Sequence, residues 1–222
     1  MQKLGKSLAA AVVLIVAPLA TQASAATVFY DDFDAEGGGA TRLNYGGFAN
    51  FDVSGGKVDL IGAGNLHKLV GSGSYVDLDG TRSGGGTLTT KQWFGFNTGD
   101  LVTLSFAVSG NQRRQSLESD DALLAGFTFA GFTILKDYTL GGAFGAENLG
   151  ASNVARTSNS ALTVWKAPYQ IYTVSFLAGS AGALKAFIGT SSNDNVGPLL
   201  DNVRVTITSA VPEPSTWMML IL

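Results

Sequence analysis

Short apolar runs separated by glycine-rich or polar breaks dominate the pattern after residue 26. Thr27-Val-Phe-Tyr30 predicts an opening strand that runs into Asp31-Asp-Phe-Asp-Ala-Glu36 and three glycines. Phe48–Val53 and Lys57–Ile61 flank Ser54-Gly55-Gly56, which predicts a hairpin, because glycine supplies the positive φ that a tight turn needs. Tyr75-Val-Asp-Leu-Asp79 alternates apolar and acidic residues as a half-buried strand does, with its acids expected toward solvent. Leu101–Val108 reads as the clearest core strand, preceded by a turn at Asn97–Asp100. Gln115–Asp121 is the most polar stretch and predicts an exposed loop. Leu123–Tyr138, broken by Gly126 and Gly131, predicts one bulged strand or two strands. Gly141–Ser160 is weakly patterned and predicts a long loop. Gln170–Ala178 and Ala183–Ile188 flank Gly179-Ser-Ala-Gly182, a second expected hairpin, and Leu199–Ile207 closes the domain.

About ten short strands with turns every ~8–12 residues predict a two-layer, all-β sandwich. Composition sharpens this. Glycine accounts for 29 of 222 residues, about twice its usual share. There is no cysteine, so a packed core or a metal must hold the fold. The chain has 14 basic against 17 acidic residues, a poor balance for neutralising phosphates, and nucleic acid is not an expected partner.

Both ends carry export features. Lys3 and Lys6 precede an apolar run from Leu8 to Ala17, and Ala23-Ser24-Ala25 offers small residues for cleavage before Ala26. Residues 1–25 therefore read as a signal peptide handled by the Sec translocon and signal peptidase, and 26–208 as the β-sandwich domain. The run is too short to span a bilayer. At the other end, Val211-Pro212-Glu213-Pro214-Ser215-Thr216-Trp217 is stiffened by two prolines and leads into an apolar run. This wording resembles the PEP-CTERM sorting signal, a tail that also goes by the name ice-binding protein C-terminal domain. The resemblance implies recognition by a membrane-embedded exosortase, transient membrane association through residues 209–222, and delivery to the cell surface or extracellular matrix of a Gram-negative bacterium. The family's tail continues through a longer apolar helix to a cluster of arginines. Here the apolar run has six residues, so the signal reads as cut short. Ice binding requires a flat, evenly spaced threonine array, and no such repeat is visible in the linear sequence.

Tyr75-Val-Asp-Leu-Asp-Gly80, Gly99-Asp-Leu-Val-Thr-Leu-Ser-Phe106, Ser109-Gly-Asn-Gln-Arg113 and Asp194–Val203 together resemble surface proteins bearing this tail. They are also similar to jelly-roll, galactose-binding-like carbohydrate-binding modules. That resemblance implies a non-catalytic domain associated with carbohydrate or exopolysaccharide. It further implies a structural Ca²⁺ shared by Asp34, after Phe33, and Asp201 in the closing strand, with Asp34 standing where these modules usually carry Glu.

Among candidate chemical groups, Trp93 and Tyr75 have flat faces suited to stacking on sugar CH surfaces, and Trp93-Phe-Gly-Phe96 lies between turns. Trp165 and further tyrosines share that chemistry. Asp77 and Asp79, two apart on one strand, point the same way, which is a poor arrangement for two carboxylates that must face each other across a sugar. His67 is the sole histidine, so neither a triad nor a histidine-built zinc site can be assembled from several of them. Gly84-Gly-Gly86 lacks the lysine of a phosphate loop. No catalytic set emerges, and the expectation is a binding module, with a purely structural matrix protein as the alternative and a weak glycoside hydrolase behind both.

Overall fold

The computed structural model describes residues 23–64, 73–82, 84–110, 122–129, 132–139, 155–157, 169–190 and 195–210. Ser24–Ala210 forms one compact unit. Its fourteen strands are β1 (Ala25–Asp31), β2 (Arg42–Tyr45), β3 (Phe51–Ser54), β4 (Val58–Ile61), β5 (Tyr75–Asp77), β6 (Thr87–Thr90), β7 (Phe94–Phe96), β8 (Leu101–Ser109), β9 (Ala122–Phe129), β10 (Phe132–Thr139), β11 (Ala155–Thr157), β12 (Gln170–Leu177), β13 (Gly182–Thr190) and β14 (Leu199–Thr208). The described residues contain no α-helix, only a 3-10 turn at Glu36–Gly39.

Two seven-stranded sheets make a jelly-roll-like β-sandwich. Sheet A runs β12-β8-β14-β5-β4-β2, with β1 also on β14; sheet B runs β11-β10-β9-β13-β6-β3, with β7 also on β13. Pairing is antiparallel except where β10 meets β11. The period-2 pattern explains the layering. In β8, Val102, Leu104, Phe106 and Val108 turn inward and are essentially inaccessible, while Leu101, Thr103 and Ser105 face out. Val203, Val205 and Ile207 of β14 join them from the same sheet. Sheet B contributes Leu123, Ala125, Phe127, Leu184, Ala186 and Ile188. Phe127, Phe129 and Phe96 all meet Phe176 edge-on, at centroid distances of 5.3, 5.3 and 5.5 Å. This is the geometry the ring quadrupoles favour.

Neither expected hairpin forms. β3 pairs with β6 in sheet B, whereas β4 pairs with β2 and β5 in sheet A. β12 likewise pairs with β8 in sheet A, and β13 with β6, β7 and β9 in sheet B. In both places the glycine-rich link carries the chain across the core from one layer to the other. The physical reason lies in the neighbours. Gly55 takes the positive φ of a turn, but a Cβ on Gly56 would sit 2.3 Å from the carbonyl oxygens of Gly84 and Gly85. Glycine there permits a close backbone approach, with Lys57 bridging in parallel to Gly85. At the second link, Ala178 donates its N–H to Asp100 O and accepts from Gly99 N–H, which ties the crossing to the turn before β8. The 123–138 segment, by contrast, is a true hairpin of β9 and β10 in continuous register.

Candidate functional site

Trp93 leaves the short link between β6 and β7, and four hydrogen bonds hold that link. Lys91 donates its N–H to Asn50 O at 2.8 Å and its Nζ to Phe48 O at 2.6 Å. The fully buried Thr90 hydroxyl donates to Gln92 O at 3.1 Å and accepts from Ala186 N–H at 3.1 Å. Immediately after Trp93, Phe94 and Phe96 plug into the core. The indole itself stays 48% exposed.

Lys185 on β13 reaches this ring, with Nζ 5.5 Å from the ring centroid, a cation–π contact. Its ammonium also lies 4.0 Å from Asp52 Oδ2 on β3. Register puts Asp52 opposite Thr89, Thr89 opposite Phe187, and Lys185 opposite Thr128. The outer face of sheet B therefore joins a rim tryptophan, an ammonium, a carboxylate and two hydroxyls. An exposed indole accepts a sugar's CH face, and the polar groups beside it supply hydrogen bonds to hydroxyls.

The other aromatic candidate does not share this setting. Tyr75 is fully buried, edge-on to Tyr169 at 6.4 Å, in a small cluster with Ile61 and Leu199. A ring with no accessible face is core packing, which corrects the expectation that Tyr75 stacks on a sugar. Tyr30 is a second exposed ring, at 44%. Arg204 Cζ lies 4.9 Å from its centroid, and its hydroxyl donates to Asn202 Oδ1 at 2.5 Å.

The acids also differ from expectation. Asp77 and Asp79 have no exposed surface. Asp77 Oδ1 accepts the N–H groups of Asp79 and Gly197 at 3.1 and 3.0 Å, and Asp79 Oδ2 accepts Asn195 N–H at 3.0 Å. They clamp the approach to β14 and face no solvent. Buried Asp59 does the same for another loop, accepting from Asn44 N–H, Thr81 N–H and Thr81 Oγ1. Backbone donors make such burial tolerable.

Asp34 and Asp201 do approach one neighbourhood. β1 pairs with β14, bringing Asp31 opposite Val203. Asp201 sits where the β14 register shifts, before Asn202 at φ 53°, a bulge that re-aims its side chain. It is 5% exposed, and its carboxyl is pushed up to about 7 by burial and by the charges of Asp34, Asp32 and Asp31, against the pull of the Asn202 N–H. Burial also raises the Tyr169 phenol, with Asp201 adding to the effect. Asp34 Oδ1 accepts Ser74 N–H at 2.6 Å, and a Cβ on Gly73 would come 2.0 Å from that oxygen. Among the described residues no three acidic or imidazole side chains converge as a metal-binding group.

Ala25 and Ala26, at the expected cleavage point, pair with Thr208 and Ile207, while Ala23 precedes β1. Residues 211–222, with Val211 to Trp217 of the sorting signal, lie outside the described residues, as do His67, Trp165, Arg113, Asp120 and Asp121. Sequence reasoning missed Lys185 and Asp52. Alternation in β13 puts Lys185 on the outward face, but only the strand order β3-β6-β13 brings Asp52 to it.

No family model matches the chain, and no curated protein matches it. Solved structures do. The chain is similar to the K2 cleaved adhesin domain of Lys-gingipain, at 17% identity and TM-score 0.48, over 84% of this chain and all of that one. It is similar to a Clostridium thermocellum endo-1,4-beta-D-xylanase structure, CBM22-1 with GH10 modules complexed with xylohexaose, at 11% identity and TM-score 0.44, over 84% of this chain. This chain spans 29% of that xylanase chain's length. A third is the CBM22-1 xylan-binding domain of Paenibacillus barcinonensis Xyn10C, at 11% identity and TM-score 0.37, covering 86% of this chain and 99% of that one. Two of these three structures contain a CBM22-1 module, and the other is an adhesin domain.

Proposed function

We propose that this chain is an exported, non-catalytic module of the cell surface or matrix that binds carbohydrate on the outer face of sheet B, with exopolysaccharide as its natural partner. The observation that supports the reading is the half-exposed Trp93 ring, held by Lys185 beside Asp52, Thr89 and Thr128. The burial of Asp77 and Asp79 removes the carboxylates on which a hydrolase reading rested. Export through Sec and sorting by an exosortase through Val211–Trp217 complete the proposal, on the wording of the two termini. The test is retention on a panel of immobilised polysaccharides. The chain should be retarded on at least one, and Trp93→Ala should abolish the retardation with an unchanged melting temperature. Retention by none, or retention indifferent to Trp93, overturns the binding claim and leaves a structural matrix protein.

We propose in addition that Asp34 and Asp201 hold a structural Ca²⁺. The support is that β1–β14 pairing brings Asp34 and the buried Asp201 to one neighbourhood, where the charge of Asp34 acts on the Asp201 carboxyl. Calcium accepts carboxylate and backbone carbonyl oxygens together, so two acids are a workable nucleus.

A further inference from the structure

The charge around Trp93 runs against that of the chain. The sequence as a whole is acidic, at −3. Yet among the described residues the link that presents the indole brings together two ammonium groups, of Lys91 and Lys185, and one carboxylate, of Asp52. Lys91 directs its Nζ to a neutral acceptor, the Phe48 carbonyl. Lys185 is poorly neutralised. Its Nζ stands 4.0 Å from Asp52 Oδ2, long for an ion pair, and the Asp52 side chain is 62% exposed. A carboxylate so well hydrated contributes little to a pair of this kind. The other partner of the ammonium is the indole face, which holds the cation without cancelling its charge.

Register explains why these groups meet. Gly95 lies opposite Ala183 and Phe94 opposite Leu184. One step further along that ladder sets Trp93 level with Lys185. Trp93, Gly95, Ala183 and Lys185 therefore share the outer face of sheet B. Gly95 and Ala183 are exposed, and a Cβ on Gly95 would meet nothing within 4 Å. The surface beside the indole is thus open backbone and one methyl group, a shelf bounded by an aromatic ring and a positive charge.

Resting on the carbohydrate reading above, we propose that this shelf takes an acidic sugar, a hexuronate unit of a polysaccharide. The pyranose CH face lies against Trp93, and the sugar's carboxylate replaces Asp52 as the partner of Lys185. A uronate carries its carboxylate directly on the ring, so one unit serves both groups, whereas a neutral hexose leaves the ammonium unanswered. Asp52 then works against the ligand, as a like charge beside the incoming anion.

The test compares polymers that differ in charge alone. The full chain is run over immobilised polygalacturonate, alginate and hyaluronate, each beside the same polymer with its carboxyls methyl-esterified, and over neutral polysaccharides. At low salt at least one acid form should retard the chain about fivefold more than its ester, the upper range for one exposed ion pair. The difference should fade as NaCl rises to about 0.5 M. Lys185→Gln should reduce retention on the acid to that on the ester, and Lys185→Arg should keep the preference. Asp52→Asn should strengthen retention on the acid, the opposite of what a carboxylate bonding to sugar hydroxyls would do. Trp93→Ala should lose it. Equal retention on acids and esters, retention on neutral polymers alone, or weakening by Asp52→Asn overturns this inference and leaves the carbohydrate reading standing. Acid retention indifferent to Trp93 is ion exchange and overturns it too. Retention on no polysaccharide at all overturns both.

Discussion

Replacing Asp201 by asparagine should stabilise the domain at neutral pH, a direction opposite to that of most substitutions of buried polar residues. Asparagine keeps the oxygen that accepts the Asn202 N–H at 2.7 Å and removes the charge. Folding raises this carboxyl from 3.8 to about 7, through burial first and the charges of Asp34, Asp32 and Asp31 after it. Between those values the folded chain holds a proton that the unfolded chain has lost. Stability therefore falls as pH rises through this window and levels off above it. Each unit of difference is worth about 1.4 kcal/mol, which sets a ceiling of ~4 kcal/mol. Screening by water at the rim of the acid cluster reduces that to about 2 kcal/mol. For a domain of this size that is a gain of about 4–8 °C in Tm for Asp201→Asn at pH 8. Near pH 4 the two proteins should melt together. The assay is thermal unfolding in EDTA from pH 4 to 8. Calcium in excess should then raise the wild-type Tm at pH 8 and leave the variant in place. A variant less stable than wild type at pH 8, or parallel pH profiles, would refute the argument from buried charge. A wild type blind to calcium would remove the metal proposal alone.

Other expectations are simpler. Phe127→Ala empties a fully buried position that packs edge-on against Phe176, and should cost about 3–5 kcal/mol in urea unfolding. Thr90→Val strands the Ala186 N–H and should cost ~1–3 kcal/mol, while also loosening the link that presents Trp93, so polysaccharide retention should weaken as well. Gly56→Ala forces a methyl group against two backbone carbonyls and should lower the yield of folded protein, whereas Gly95→Ala, with nothing within 4 Å, should be well tolerated.

The strands were legible because their chemistry is local. Alternation in 101–108 and 199–207 gave the inward sets of β8 and β14 directly. A glycine-rich link between two apolar runs has the local chemistry of a hairpin turn. At Gly55–Gly56 and at Gly179–Gly182 the same turn chemistry serves a crossing between layers, and only long-range pairing decides which. The acids failed for a related reason. Asp77 and Asp79 alternate with apolar residues as solvent-facing groups do, yet Gly197 and Asn195, more than a hundred residues away, supply the N–H groups that let them be buried. Trp93, which the sequence places between turns, is half exposed, while Tyr75 carries the same aromatic signal and is core.

The first and last strands lie side by side with Ala25 against Thr208, so the domain's two ends emerge at one corner. A pull applied between them would open that ladder like a zip, loading its hydrogen bonds a rung at a time and never in parallel. The domain is thus weak as a link in a stretched chain. It suits a cargo hung from a single tether, where drag is borne by the tether and not by the fold.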